Sequence, residues 1–473
     1  MHPIAPTSRS CPDVKRDSRF KLLNRETAVN IYAFSRSMAV ASVLLAAPAF
    51  AEKFGPLEVV GFAKDEFSAC DNCSLGLVNI SKFDPRGVLS PPDPMVNQGG
   101  ESGRTSSNLG LAQLTLGLTH EFDNAVSIEA KGSGRVRNNG PDIFGNYLID
   151  GYVGIAYPKA GSLQIGKMSS RSWTRSDSFA YPMGLSSPWA ESGAGYGVFP
   201  EAVRFGTREY EIPIGKIRFE ATVARAKKRN PLNLTSIVIP PPSPRVFEVF
   251  IQYSNEKNLI EAIYQDSSGG RQSSFSKGAF FGAQGNTNTP STSPGYRAPT
   301  EDVLILQGTY WRNERWKYTY GVKRSEWSGQ QQQCDFGPNS PVTSVCFWDQ
   351  DGFNYASDLK LYHAIEYDAM LGVGYTRAPW VFTFGGVRMS KAHSQNPTEW
   401  GQSNTATFLN LGVYRKVPSI SKYLEVYAGL SGVIFGRPGP APLSMPSNLA
   451  FGGVDPRTSK SSSSLTVGAN FVF

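Results

Sequence analysis

Over long stretches of this chain, apolar and polar residues alternate singly. Val126, Ile128 and Ala130 oppose Ser127, Glu129 and Lys131; Ile217, Phe219, Ala221 and Val223 oppose Lys216, Arg218, Glu220 and Thr222. Phe247, Val249, Ile251 and Tyr253 oppose Glu248, Gln252 and Ser254, and the same holds around Trp316–Val322 and Leu424–Leu430. A period of two is that of a β-strand with one apolar face. The pattern predicts sixteen strands, near 57–67, 108–121, 125–137, 146–157, 161–170, 201–210, 214–226, 245–256, 258–267, 301–313, 315–327, 360–377, 380–390, 405–416, 423–435 and 462–473.

The spacers between strands alternate short and long. Short ones fall at Phe122-Asp123-Asn124, Pro158-Lys159-Ala160, Glu211-Ile212-Pro213, Glu256-Lys257, Asn313-Glu314, Ala378-Pro379 and Pro418-Ser419-Ile420. Long ones cover 68–107, 138–145, 171–200, 227–244, 268–300, 328–359, 391–404 and 436–461. Short turns at one end and long loops at the other describe a meander of antiparallel hairpins whose two ends meet different surroundings, which is the pattern of a transmembrane β-barrel. Lipid offers backbone groups no hydrogen-bond partner, so a sheet that crosses it must close. Its outer face must be apolar, and a wide barrel keeps water and polar groups inside. A soluble β-sandwich or β-helix shares the alternation but does not require this loop rhythm. The predicted fold is therefore all-β: a transmembrane antiparallel up-and-down barrel of about sixteen strands.

Composition agrees. The 473 residues include 47 Gly, 33 Pro, 20 Tyr and 28 Phe, a turn-rich and aromatic-rich mixture. No run approaches the roughly 20 apolar residues of a membrane helix. The longest, residues 39–51, follows Arg36 and ends in Ala49-Phe50-Ala51, the form of a secretory signal cut before Glu52. Residues 1–51 thus read as a leader whose start is over-extended, and residues 52–473 as the barrel. The leader holds seven Lys/Arg and three acids; without them 40 basic face 36 acidic residues, a net +4 rather than +8. The basic balance is thus partly a property of the leader, and an exported chain is not expected to bind nucleic acid.

Cys11 leaves with the leader, and four cysteines remain. An even number in an exported chain favours disulfides, expected as Cys334–Cys346 closing a loop and Cys70–Cys73 closing a tight ring. A zinc site at Cys70-x-x-Cys73 lacks a second ligand pair, and no other metal or cofactor signature is present. His120, His363 and His393 remain in the mature chain. His393 adjoins Ser394, but neighbouring side chains on a strand point apart, and catalysis is not expected.

Two stretches carry a resemblance. The terminal strand ends on Phe471 and Phe473, and Tyr152-Val153-Gly154-Ile155 is followed by Gly161-Ser162-Leu163-Gln164-Ile165-Gly166-Lys167. With the strand count, these resemble the sixteen-stranded trimeric general porins of Gram-negative outer membranes. The resemblance implies a homotrimer in the outer membrane, surrounded by lipid and lipopolysaccharide. It also implies a C-terminal strand read by the assembly machinery, with Phe471 facing lipid and Phe473 in the periplasmic aromatic girdle. It further implies that the loop after the fifth strand, residues 170–200, folds inward and narrows the pore.

In such porins an acidic loop often faces a basic wall. Here the loop has Asp177 and Glu191 as its acids, but it also brings Arg171 and Arg175, while the inward parity of the wall offers Lys131, Arg135, Arg137, Arg204, Arg208 and Arg218. The expected function is passive diffusion of ions and small hydrophilic solutes, with a weak anion preference from the inward cations. The alternative is a channel specific for a sugar, phosphate or organic acid, with Trp173, Trp189 and Tyr196 as loop aromatics. An adhesive barrel working through the loops at 268–300 and 328–359 is a third reading.

Overall fold

The computed structural model describes residues 53–54, 56–74, 102–137, 140–141, 148–180, 189, 198–225, 245–268, 300–329, 362–391, 393–394, 405–436 and 461–472. Sixteen long strands account for most of them. They are β1 (Leu57–Ser74), β2 (Ser102–Glu121), β3 (Ser127–Arg137), β4 (Leu148–Tyr157), β5 (Gly161–Ser169), β6 (Val198–Gly206), β7 (Gly215–Arg225) and β8 (Arg245–Ser254). The second half comprises β9 (Asn258–Ser268), β10 (Thr300–Trp311), β11 (Trp316–Gly329), β12 (Tyr362–Arg377), β13 (Trp380–Met389), β14 (Ala406–Lys416), β15 (Leu424–Phe435) and β16 (Ser461–Val472). One helix, α1 (Arg171–Ala180), follows β5. Two-residue strands at Lys53–Phe54, Gly140–Pro141 and His393–Ser394 extend neighbouring hairpins, and Tyr210–Ile212 continues β6 after a break at 207–209.

Each strand pairs antiparallel with the next, and β1 pairs with β16 from Phe62↔Val472 to Asp71↔Ser463. The sheet is thus a closed sixteen-stranded barrel with no edge. Short turns are built as their sequences demand. Asn124 Oδ1 accepts from Val126 N, Asn255 Oδ1 from Lys257 N and Asn258 N, and Asn313 Oδ1 from Arg315 N and Trp316 N. An asparagine that bonds the backbone two or three residues on reverses the chain locally.

The apolar parity lies outside. Leu116, Val153, Ile165, Val322, Leu371, Phe384 and Leu430 are 45–71% exposed. A belt of bare aliphatic and aromatic side chains on this scale is untenable in water and fits hydrocarbon. Among the described residues no helix is long and apolar enough to cross a membrane.

The inner face departs from the sequence expectation of a uniformly polar wall. The walls of β3 to β9 carry charge, but β10 and β12–β15 turn Val303, Ile305, Met370, Val387, Phe408 and Val433 inward, where they join Phe250, Ile263 and Trp189 in a buried apolar cluster. Alternation fixes which residues share a face, and here both parities are apolar, so periodicity alone hid the cluster. Phe471 keeps the outward parity, opposite Leu424 and Ala63, but is buried, with its ring 5.9 Å from that of Tyr423. Phe473, Cys334, Cys346, Glu191 and the leader lie outside the described residues.

Cys70 and Cys73 lie within β1, opposite Thr105 and Gly103, with one register irregularity between them. The side chains of both cysteines lie outside the described residues.

Candidate functional site: the lumen and its crossing helix

Ser170 begins the inward segment as a helix cap. Its Oγ accepts from Trp173 N at 3.1 Å, and its carbonyl accepts from Thr174 N and Thr174 Oγ1. The next free amides of α1 are satisfied from the barrel wall. Glu248 of β8 accepts from Arg171 N through Oε1 at 2.8 Å and from Ser172 N through Oε2 at 3.1 Å. A carboxylate on a helix N-terminus meets both its orphan donors and its positive dipole end. Gln265 of β9 donates to Glu248 Oε2 at 3.0 Å and to Ser172 Oγ at 2.9 Å, which fixes the pair.

The helix arginines then reach the same wall. Arg171 makes a two-pronged bond to Glu220 of β7, Nε to Oε2 at 2.6 Å and Nη2 to Oε1 at 3.0 Å. Burial alone would lower the Arg171 pKa, but the Glu220 carboxylate more than offsets it, so the net shift is upward and the guanidinium stays charged. Arg175 pairs with Glu261 of β9, with Nε at 2.7 Å. Phe250 lies beneath both guanidinium groups, 5.7 and 5.9 Å from its ring centre.

Trp189, further along the inward segment, is latched on the adjoining strands. Trp189 is fully buried in the apolar cluster. Its Nε1 donates to Gln307 Oε1 at 2.9 Å, and Gln307 in turn donates to Glu261 Oε2 at 2.9 Å. Lys323 of β11 donates to the Trp189 carbonyl and sits 4.7 Å over its ring. Gly321 makes the space: a Cβ there would lie 2.7 Å from Trp189 Cζ2. The inward segment is therefore tied to β7–β9 by ion pairs and to β10–β11 by a docked indole.

Several wall residues expected from parity come together here. Arg204 donates to Thr222 Oγ1 and to the Ser169 carbonyl, and stands 3.9 Å from Glu220 and 3.8 Å from Glu248. Arg218 pairs with Glu220. Arg135 donates twice to Gln113 Oε1 and lies 5.5 Å over the ring of Trp173 in α1. Lys131 shares the inward face of β3, opposite Gly117 and Tyr152, and makes no ion pair among the described residues. Arg208 is set apart. It lies in the break after β6, with its guanidinium over Tyr210, which pairs with outward-facing Ile217. The backbones of Asp177 and Arg137 are described, in α1 and at the end of β3, but not their side chains.

The polarity is the reverse of an acidic loop on a basic wall: a basic helix rests on an acidic wall. Sequence reasoning identified Arg171 and Arg175 but not their partners. Glu248, Glu261, Gln265, Gln307 and Lys323 were visible only as inward-parity residues.

Fold and lumen together define a membrane-spanning β-barrel with a constriction segment folded inside. No protein-family model and no curated protein matches the chain. Solved structures do match over nearly their whole lengths. The anion-selective porin of Comamonas acidovorans has a TM-score of 0.54 and 12% identity, over 88% of this chain and 99% of that one. The outer membrane channel DcaP of Acinetobacter baumannii has a TM-score of 0.50 and 10% identity, over 89% and 99%. OmpT of Vibrio cholerae, folded in vitro, has a TM-score of 0.50 and 11% identity, over 89% and 99%. The chain therefore has the fold of sixteen-stranded outer-membrane porins, as its strand pattern implied.

Proposed function

We propose that this protein is an outer-membrane channel through which ions and small hydrophilic solutes diffuse passively. The observation that carries this reading is the division of the barrel wall: an exposed apolar belt outside, and ionised side chains around a cross-lumen helix inside. Charge held in a low-dielectric frame biases passing ions without any bond chemistry. The reading has no enzymatic step, cofactor or metal. Export through residues 39–51 and insertion by the outer-membrane assembly machinery, with lipid and lipopolysaccharide around the barrel, belong to the same proposal.

Selectivity is weak in this reading, and favours anions. Arg171, Arg175, Arg204 and Arg218 spend much of their charge on Glu220, Glu248 and Glu261. Lys131, which makes no ion pair among the described residues, supplies the remaining bias, offset in part by Glu129 on the same inward face. The wild-type reversal potential in a salt gradient is expected to show a modest anion preference that falls or inverts in Lys131→Glu. Strong cation preference in the wild type would refute it.

We also propose a homotrimer, joined through the face of β2–β5. That face exposes Leu114, Leu116, Ile128, Val153 and Ile165, whereas the outer face of β10–β13 exposes Tyr310, Trp311, Trp316, Tyr320, Trp380 and Phe384. Aromatic rings mark a lipid–water boundary, and a sector largely without them suits contact with protein.

A further inference from the structure

At the short-turn end of β12–β14, three outward side chains stand side by side. Arg377, the last residue of β12, pairs with Trp380, the first of β13, and Arg415 of β14 pairs with Trp380 from the other side. All three share the parity of the exposed Leu371, Phe382, Phe384 and Leu411. The Arg415 guanidinium lies 5.1 Å over the Trp380 ring, which stacks on Phe382 with centroids 6.4 Å apart. Trp316 and Tyr375, 4.7 Å apart, continue the aromatic band on the same face. Leu411 lies four residues along β14 from Arg415, roughly 13 Å in extended backbone, and Leu411 and Phe384 are among the most exposed apolar residues. The row of Arg377, Trp380 and Arg415 therefore marks the edge of the apolar belt.

The row has cations without acids. Arg377 and Arg415 are exposed, and neither makes an ion pair among the described residues. The adjoining turn between β10 and β11 adds exposed Arg312 and Arg315, and the Arg315 carbonyl accepts from Thr376 N at 2.8 Å, which sets that turn beside Arg377. The nearby acids are Glu314, at the tip of that turn, and Glu425, which faces Lys416 on the inner parity. Beyond Arg415 the outward row continues into Val426. The short turns elsewhere carry Glu121, Asp123, Glu209, Glu211 and Glu256. Like charges on neighbouring strands repel, so two guanidinium groups around one indole, with no carboxylate in the row, call for an anion from outside the chain.

We propose that Arg377, Trp380 and Arg415 bind the phosphate of an anionic phospholipid in the leaflet that meets the short turns, with an acyl chain lying along Phe382 and Phe384. Guanidinium groups match phosphate oxygens in a forked geometry, and an indole is at home at the lipid–water boundary. The apolar face that continues from the row takes the chain of the same molecule. A zwitterionic lipid brings an ammonium group that the two arginines repel, and a free phosphate ion leaves the exposed rings uncovered. The inference requires the barrel to span a bilayer and does not depend on conduction.

The test is native mass spectrometry of the purified full chain in detergent, titrated with dioctanoyl phosphatidylglycerol or with dioctanoyl phosphatidylcholine. Wild type is expected to retain phosphatidylglycerol in a saturable adduct of one lipid per chain, and phosphatidylcholine at least about tenfold more weakly. The double variant Arg377→Gln with Arg415→Gln should lose that preference, because each interfacial cation favours an anionic lipid. Both residues are exposed, and the variant should keep the circular dichroism of the wild type. Arg225→Gln with Arg245→Gln removes an exposed outward pair at the long-loop end of β7 and β8 and should change nothing. Equal retention of the two lipids overturns the inference. So does an equal loss in both double variants, which reports overall charge alone, and so does displacement of the lipid by an equal concentration of inorganic phosphate, which reports a site for a free anion.

Discussion

Glu220 accepts from Arg171 through both oxygens, pairs with Arg218, and stands 3.9 Å from Arg204. Three guanidinium groups thus converge on one carboxylate that is 2% exposed, with Arg204 also near Glu248. Removing one partner of a buried, hydrogen-bonded charge set costs about 3–5 kcal/mol because the others stay charged and unpaired. Glu220→Ala is therefore expected to release the constriction helix while the barrel remains folded. Trypsin should then cleave after Arg171 or Arg175 in folded protein, and single-channel conductance should rise; full protease resistance would contradict the latch. The helix arginines were legible in the sequence because charge inside an aromatic-rich inward loop has few places to go. Their partners were not, because Glu248 lies 77 residues from Arg171 and Glu261 lies 86 from Arg175. Only the register of the closed sheet brings them together.

At the scale of elements, periodicity placed all sixteen strands, since hydrocarbon on one side and polar surroundings on the other write a period of two into each. The misses fall where that selection stops. β1 runs to Ser74 and β2 starts at Ser102, both further toward the long loops than the apolar positions reach. Ser68, Ala69, Cys70 and Ser106–Asn108 are held there by backbone pairing, with little apolar pattern to announce it. The outer faces themselves differ, aliphatic on β2–β5 and aromatic on β10–β13. An arginine on a lipid face costs about 2–4 kcal/mol at the bilayer midplane. Val153→Arg and Phe384→Arg should both destabilise the barrel, but only Val153→Arg should abolish trimers in unheated detergent gels. Intact trimers in Val153→Arg would move the interface off β2–β5.

The barrel of β1–β16 has two different inner walls: β3 to β9 present the charge that grips the constriction helix, and β10 and β12–β15 present the apolar cluster that receives Trp189. Closure and overall class were legible in the hairpin rhythm, but the inner asymmetry emerged only when distant strands were placed side by side. The measurement that tests the account most directly is single-channel recording of the purified chain in a planar bilayer. An aqueous lumen narrowed by a tethered helix predicts discrete, ohmic current steps of uniform size, with larger steps in Glu220→Ala. Protein that inserts with intact β-sheet circular dichroism but carries no current would contradict it.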